Sequence, residues 1–180
     1  MKLLEKIIVV YIALLVLSFI VQSCCQENYR IVGNGEIGAY TDYYDPGNKI
    51  DTISGPFMIA WHLELRSEAL ATNFGLIQSV AATTCAENYL NEIIESSFTI
   101  SCDKEFKYNG LTIPANSDFS GLNDMEIYIG TLWGSVDIRF SEKFIELADF
   151  DKSDYKFKVN IKSNDHLEFE NTLLVHMNLN

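Results

Sequence analysis

Glu64, Asp137 and Glu168 stand in stretches that alternate apolar and polar residues. Converging carboxylates of this kind can work as general acid and base in a hydrolase. Here each one falls among the polar residues of its stretch, the position of a solvated strand face. The plainer reading is therefore a wet sheet, and the chain is expected to be a non-enzymatic domain, with an envelope hydrolase as the alternative. The other chemistry-bearing residues are scattered. His62, His166 and His176 show no H-x-H or H-x-x-x-H spacing, and zinc needs clustered His or Cys ligands. Asp149, Asp151 and Asp154 resemble the opening of a calcium loop, but the sixth and twelfth positions hold Asp154 and Asn160 where Gly and Glu would be required. They are read as an acidic inter-strand loop, with a weak calcium site as the sharper alternative. Gly33-Asn34-Gly35-Glu36-Ile37-Gly38 spells G-x-G-x-x-G without the βαβ unit that a dinucleotide requires. No G-x-S-x-G elbow occurs. None of these patterns calls for a cofactor.

Two further groups remain. Cys85 and Cys102 lie in what reads as an exported domain, where disulfides persist, and a bridge between them would contribute up to about 3 kcal/mol through the unfolded state. Tyr40, Tyr43 and Tyr44 cluster in a loop. They could grip a sugar ring or a partner protein, or simply pack over the edge of the core.

The elements that would position these residues are mostly strands. Met58–Arg66 alternates with a slip near Ile59, and Leu76–Thr84 is a second apolar, β-branched run. Phe98–Cys102, Glu126–Ile129 and Ser135–Phe140 also read as strands. Tyr89, Leu90, Ile93 and Ile94 recur at helical spacing, so 86–96 reads as a short helix or as a loop running into a strand. Phe144–Leu147 reads as a strand or the start of a helix. Turn signals crowd residues 33–56, so a short strand at 29–32 followed by a long surface loop is expected there. The last two strands fix their own register. A three-residue loop at 164–166 sets Ile161 opposite Phe169 and Lys162 opposite Glu168, so that both faces agree. Asn or Asp would take the left-handed position that this loop wants. A bend is expected near Asn171. About seven short strands with hairpins point to an all-β, antiparallel, immunoglobulin-like sandwich.

The amino-terminal segment says where such a domain would work. Lys2 and Lys6 precede an apolar run from Ile7 to Val21, and Val21-Gln22-Ser23-Cys24 follows. The run is shorter than the roughly 20 residues of a transmembrane helix and has the length of a signal core. The segment resembles a bacterial lipoprotein signal peptide with its lipobox, Gln22 being a departure from the commonest form. The resemblance implies cleavage after Ser23 and a diacylglyceryl group on Cys24. It further implies residues 24–29 as a tether and 30–180 as one domain. Ser23-Cys24-Cys25, Tyr29-Arg30-Ile31-Val32 and the closing Phe-x-Val-x-Ile hairpin also resemble small uncharacterised envelope lipoproteins of Bacteroidetes type. That resemblance implies an outer-membrane location, at the periplasmic face or the cell surface.

Removing residues 1–23 from 180 leaves 157, the size of one domain. The whole chain carries −12, and the leader's Lys2, Lys6 and Glu5 leave −13 on the remainder. That charge argues against nucleic acid and against electrostatic attachment to an anionic bilayer. The expected partners are a membrane, reached through lipid, and a protein or glycan.

Overall fold

The computed structural model describes residues 2–23, 26–41, 48–69 and 86–179. Cys24, Cys25, Tyr43, Tyr44, Cys85 and the expected strand at 76–84 lie outside them. Helix α1 (Lys2–Ser23) is followed by strands β1 (Gln26–Tyr40), β2 (Thr52–Ile53), β3 (Phe57–Ala69), β4 (Ala86–Tyr89) and β5 (Ile93–Cys102). Then come β6 (Phe106–Tyr108), β7 (Leu111–Ile113), β8 (Met125–Gly130), β9 (Ser135–Phe140), α2 (Glu142–Leu147), β10 (Ala148–Asp149), β11 (Asp154–Ser163) and β12 (Glu168–Met177). The chain divides into two compact units, residues 1–30 with 66–90, and residues 31–65 with 91–180.

The first unit holds α1, the start of β1 and β4. Along α1 every described side chain from Ile7 to Val16 that is large and apolar is exposed, Val9 and Tyr11 each by 65%. A helix that is apolar all round is ordinarily buried on every side, in a protein core or in a membrane. Among the residues whose side chains are described, no helix is long and apolar enough to cross a membrane; in α1 those run from Lys6 to Val16. Residues 26–29 pair in parallel with 86–89, from Gln26 opposite Ala86 to Tyr29 opposite Tyr89. The Tyr29 and Tyr89 rings stack at 5.7 Å, and Asn88 Nδ2 donates to Asn28 Oδ1.

The second unit is the expected all-β sandwich. One sheet runs β1-β3-β9-β8 and the other β2-β12-β11-β5, with a small β10-β6-β7 sheet beside them. Period-two alternation supplies the core. Phe57, Ile59, Trp61 and Leu63 of β3 and Val136, Ile138 and Phe140 of β9 belong to one buried cluster. The same cluster takes Tyr155, Phe157, Val159 and Ile161 of β11 and Phe169, Val175 and Met177 of β12. Phe57 stacks on Phe140 at 4.3 Å, and Phe144 of α2 meets Phe140 edge-on at 5.0 Å. Ser141 caps α2 by accepting from Phe144 N, so the apolar side chain enters the core from a single short helix.

The β11–β12 register is the one derived from sequence: Ile161 faces Phe169, and Lys162 faces Glu168. The left-handed loop residue is His166 (φ 67°), rather than Asn164 or Asp165. Pairing continues unbroken from Asp154 opposite His176 to Lys162 opposite Glu168, so Asn171 causes no register change. The Asn109-Gly110 turn has positive φ at both residues, as a two-residue hairpin between β6 and β7 requires.

Three local signals mislead, each because a tertiary contact outranks it. Within 86–96 the structure takes the strand alternative, at 86–89 and from 93 onward, and not the helix. Asn91, 1% exposed, accepts from Ile31 N and donates to Ile31 O, bonding like a strand neighbour of β1. The turn-rich region after Val32 is strand through Tyr40. Asn34 explains this: its carbonyl accepts from Trp61 Nε1 and Asn171 Nδ2, and its Oδ1 accepts from Glu170 N, so it clasps β12. The slip near Ile59 is no slip. Phe57, Ile59, Trp61 and Leu63 face the core, while Met58 and Ala60 form a second buried cluster with Tyr40 on the other face.

Candidate interaction surface

The residues singled out from sequence do not converge. Glu64 and Asp137 lie in one sheet and Glu168 in the other, where Lys162 Nζ approaches its carboxylate at 2.5 Å and holds its pKa below the usual Glu range. Asp154 pairs with His176 Nδ1 at 2.8 Å, and Asp151 N donates to Tyr155 OH. Among the described residues no group of three or more His, Cys, Asp or Glu side chains could hold a metal, so the weak calcium candidates Asp149, Asp151 and Asp154 do not form a site. Of the two cysteines expected to form a bridge, Cys85 lies outside the described residues, and Cys102 is a buried free thiol whose Sγ donates to Lys104 O at 2.9 Å. Burial pushes that thiol up to about 11, so it stays protonated and poor as a nucleophile. Tyr40 is buried and packs against Met58 and Ala60.

The outer face of β3, β9 and β8 is organised differently. Register lays out three rows there: Met58–Arg139–Glu126, Ala60–Asp137–Tyr128 and His62–Ser135–Gly130. Opposed Cβ atoms in such rows are about 4.5–5.5 Å apart. Tyr128 is 53% exposed on this face. Gly130 follows on the same side, about 7 Å along the strand. A Cβ at Gly130 would lie 3.7 Å from the Trp133 Cβ and 2.5 Å from Ser135 Oγ. The missing side chain thus leaves the space beside which Trp133 begins. Trp133 is 63% exposed and Leu132 beside it 38%. Large aromatics this open to water are unusual on a sandwich whose other Trp is fully buried.

Asp137 sits in the middle row between buried Ala60 and exposed Tyr128. It is partly buried, and no described residue hydrogen-bonds or ion-pairs with its carboxylate. Burial raises its pKa, and the nearby His62 offsets part of that. In the row beside it Arg139 is engaged by Glu126 at 3.5 Å, the same carboxylate to which Tyr128 OH donates. Asp137 therefore stands opposite the exposed Tyr128, with His62 on the same face partly offsetting its charge. Ser135, His62 and Asp137 share a corner of this grid, yet no hydrogen bond links them, so they assemble no activated nucleophile.

A second, polar hollow of about 280 Å³ lies on the outer face of β5 and β11, lined by Thr99, Ser101, Asn116, Asp118, Lys158 and Asn160. Its charges are already engaged. Lys158 pairs with Glu170 at 2.7 Å, and Asp118 accepts from Ile100 N, Ser120 N and the Ser120 hydroxyl. It serves as a clamp on the β5 edge, where Phe119 N and Asn116 N also donate to β5 carbonyls.

Sequence reasoning placed Asp137 on a polar face but looked for exposed aromatics at Tyr40, Tyr43 and Tyr44. The overlooked signal was an aromatic at a polar-face position of β8 and a tryptophan in a four-residue turn.

No family model matches the chain, and no curated protein matches it. Among solved structures, murine CRIg superposes at 8% identity over 81% of this chain and 99% of that one, with a TM-score of 0.31. The C-terminal domain of the Streptococcus agalactiae AgI/II polypeptide BspA gives 10% identity, 79% and 50% coverage and a TM-score of 0.27. That of the Streptococcus pyogenes antigen I/II-family protein AspA gives 10%, 81% and 46%, with 0.29. The chain spans about half the length of these streptococcal domains. Likenesses this loose bring neither an activity nor a partner to this chain.

Proposed function

We propose that the chain is a lipid-anchored envelope protein whose sandwich binds an external partner, protein or glycan, without catalysing a reaction. The observation that carries the binding reading is the pair of exposed aromatics, Tyr128 on the outer face of β8 and Trp133 in the β8–β9 turn. Trp and Tyr supply much contact area at little entropic cost and dominate binding energies where they occur. The scattered carboxylates and the absence of an assembled nucleophile among the described residues favour binding over hydrolysis. The anchor is supported by the lipobox-like Val21-Gln22-Ser23-Cys24 and by an α1 that is apolar on all sides and ends at Ser23.

A photoreactive benzoylphenylalanine at position 132 tests this in intact cells, because it inserts into C–H bonds of protein and sugar alike. It should give a discrete higher-mass adduct that disappears when Tyr128→Ala and Trp133→Ala are added. The same probe at Leu111, which is 68% exposed on the β6–β7 turn, should give none. An adduct that survives loss of both aromatics, or no adduct at 132, contradicts the reading.

A further inference from the structure

We infer that the polar hollow on the outer face of β5 and β11 is a second binding site, and that it takes a neutral sugar ring. The inference goes beyond the aromatic face and stands without it. Four of the lining side chains form a grid fixed by strand register: Ser101 lies opposite Lys158, and Thr99 opposite Asn160. Opposed Cβ atoms are about 4.5–5.5 Å apart, and successive residues of one face about 7 Å, so this floor has the scale of one ring. The loop after β7 supplies the wall through Asn116 and Asp118. That wall is pinned before any ligand arrives. Asn116 N donates to Cys102 O, Phe119 N donates to Ile100 O, and Asp118 Oδ1 accepts from Ile100 N. Preorganisation of this kind spares binding the loss of loop freedom.

The chemistry of the lining selects the ligand. Its charges are engaged within the protein: Glu170 holds Lys158 at 2.7 Å, and Asp118 accepts from Ile100 N, Ser120 N and the Ser120 hydroxyl. An anion would meet the Asp118 carboxylate, and a metal ion would find no second carboxylate in the lining. What stays open is polar and of both kinds. A carboxylate has about four acceptor sites and an ammonium about three donors, so Asp118 has room for another donor and Lys158 for further acceptors. Among the described residues no side-chain partner meets the Ser101 hydroxyl or the Asn116 amide, and Asn160 Nδ2 reaches Thr99 Oγ1 only at 3.5 Å. Sugar hydroxyls both donate and accept, and several sit on one rigid ring, so they use both kinds at once. No aromatic lines the hollow, so affinity rests on hydrogen bonds and is expected to be weak. The volume of about 280 Å³ falls just short of the roughly 300–1,000 Å³ of pockets for drug-sized ligands, which suits one ring rather than a chain.

The test titrates the full-length protein, in dodecylphosphocholine micelles that carry no sugar, with the methyl glycosides of glucose, galactose, mannose and N-acetylglucosamine. Saturation-transfer NMR follows each, and at least one should saturate. Ser101→Ala with Asn116→Gly removes two polar groups that hold no partner in the fold, and glycine keeps the left-handed φ of 60° at position 116. The pair should weaken the dissociation constant at least about tenfold, and Ser101→Ala alone, which leaves the loop untouched, about threefold. Thr112→Ala, an exposed hydroxyl of β7 outside the hollow, and Tyr128→Ala with Trp133→Ala should each stay within about twofold of wild type. High salt should also leave the constant within about twofold, because the ligand is uncharged. No saturation by any of the four glycosides, a salt-sensitive constant, or equal weakening by Thr112→Ala and Ser101→Ala overturns the inference. Loss of binding in the aromatic double variant overturns it too, by moving the sugar to the Tyr128–Trp133 face.

Discussion

Asp137 illustrates how one residue can be costly to the fold and still fit a function. Its pKa is raised chiefly by burial, with His62 opposing. For an acid whose folded pKa lies above its unfolded value, folding favours the protonated form. The ionised side chain therefore weakens the fold progressively as pH climbs above the ordinary Asp range. Asp137→Asn removes that penalty. Its Tm should exceed wild type at pH 7 and converge on it near the ordinary Asp range and below. A variant less stable than wild type at pH 7 would mean that the carboxylate has a stabilising partner after all. Stability forgone at a partly buried polar position is a recurrent mark of binding sites. The sequence placed Asp137 on the solvent side of β9, because Val136, Ile138 and Phe140 alternate with it. It could not reveal that Tyr128 stands opposite, since that depends on the β8–β9 register.

At the scale of elements, legibility tracks how local the deciding contact is. The β11–β12 hairpin could be registered from sequence because its two strands are joined by three residues and both faces constrain the pairing. Strand β1 could not, because what makes Gly33-Asn34-Gly35 a strand rather than a turn is Asn34 reaching β12, some 136 residues away. The helical spacing of Tyr89, Leu90, Ile93 and Ile94 misled for the same reason: Ile93 alone is buried at 4%, and Asn91 satisfies β1 instead of a helix. Strand β1 also makes a sharp demand. Gly35 has φ +55°, and a Cβ there would run into the His62 carbonyl oxygen. Gly35→Ala should cost at least about 1–3 kcal/mol in urea unfolding. Gly121→Ala, where nothing lies within 4 Å, should change stability by less than about 0.5 kcal/mol. Equal urea midpoints for the two variants would refute the account of the β1 clasp.

For the whole molecule, the distribution of character along the chain matters most. Residues 1–23 carry +1 and include the apolar helix α1, and residues 24–180 carry −13. Such a body has no electrostatic reason to rest on an anionic membrane, so the proposed anchor would have to hold it there through hydrocarbon. A single acyl chain holds only marginally at about 0.8 kcal/mol per buried methylene, whereas two or three hold durably. Tethering would also raise the effective concentration of the Tyr128–Trp133 face toward a partner in the same envelope. The proposed location of the sandwich presupposes this anchor. Mass spectrometry of the protein purified from its own cells tests it most directly. The account predicts a chain that begins at Cys24 and carries a diacylglyceryl group on its sulfur. A chain that retains Met1, or one with an unmodified thiol at position 24, would contradict it.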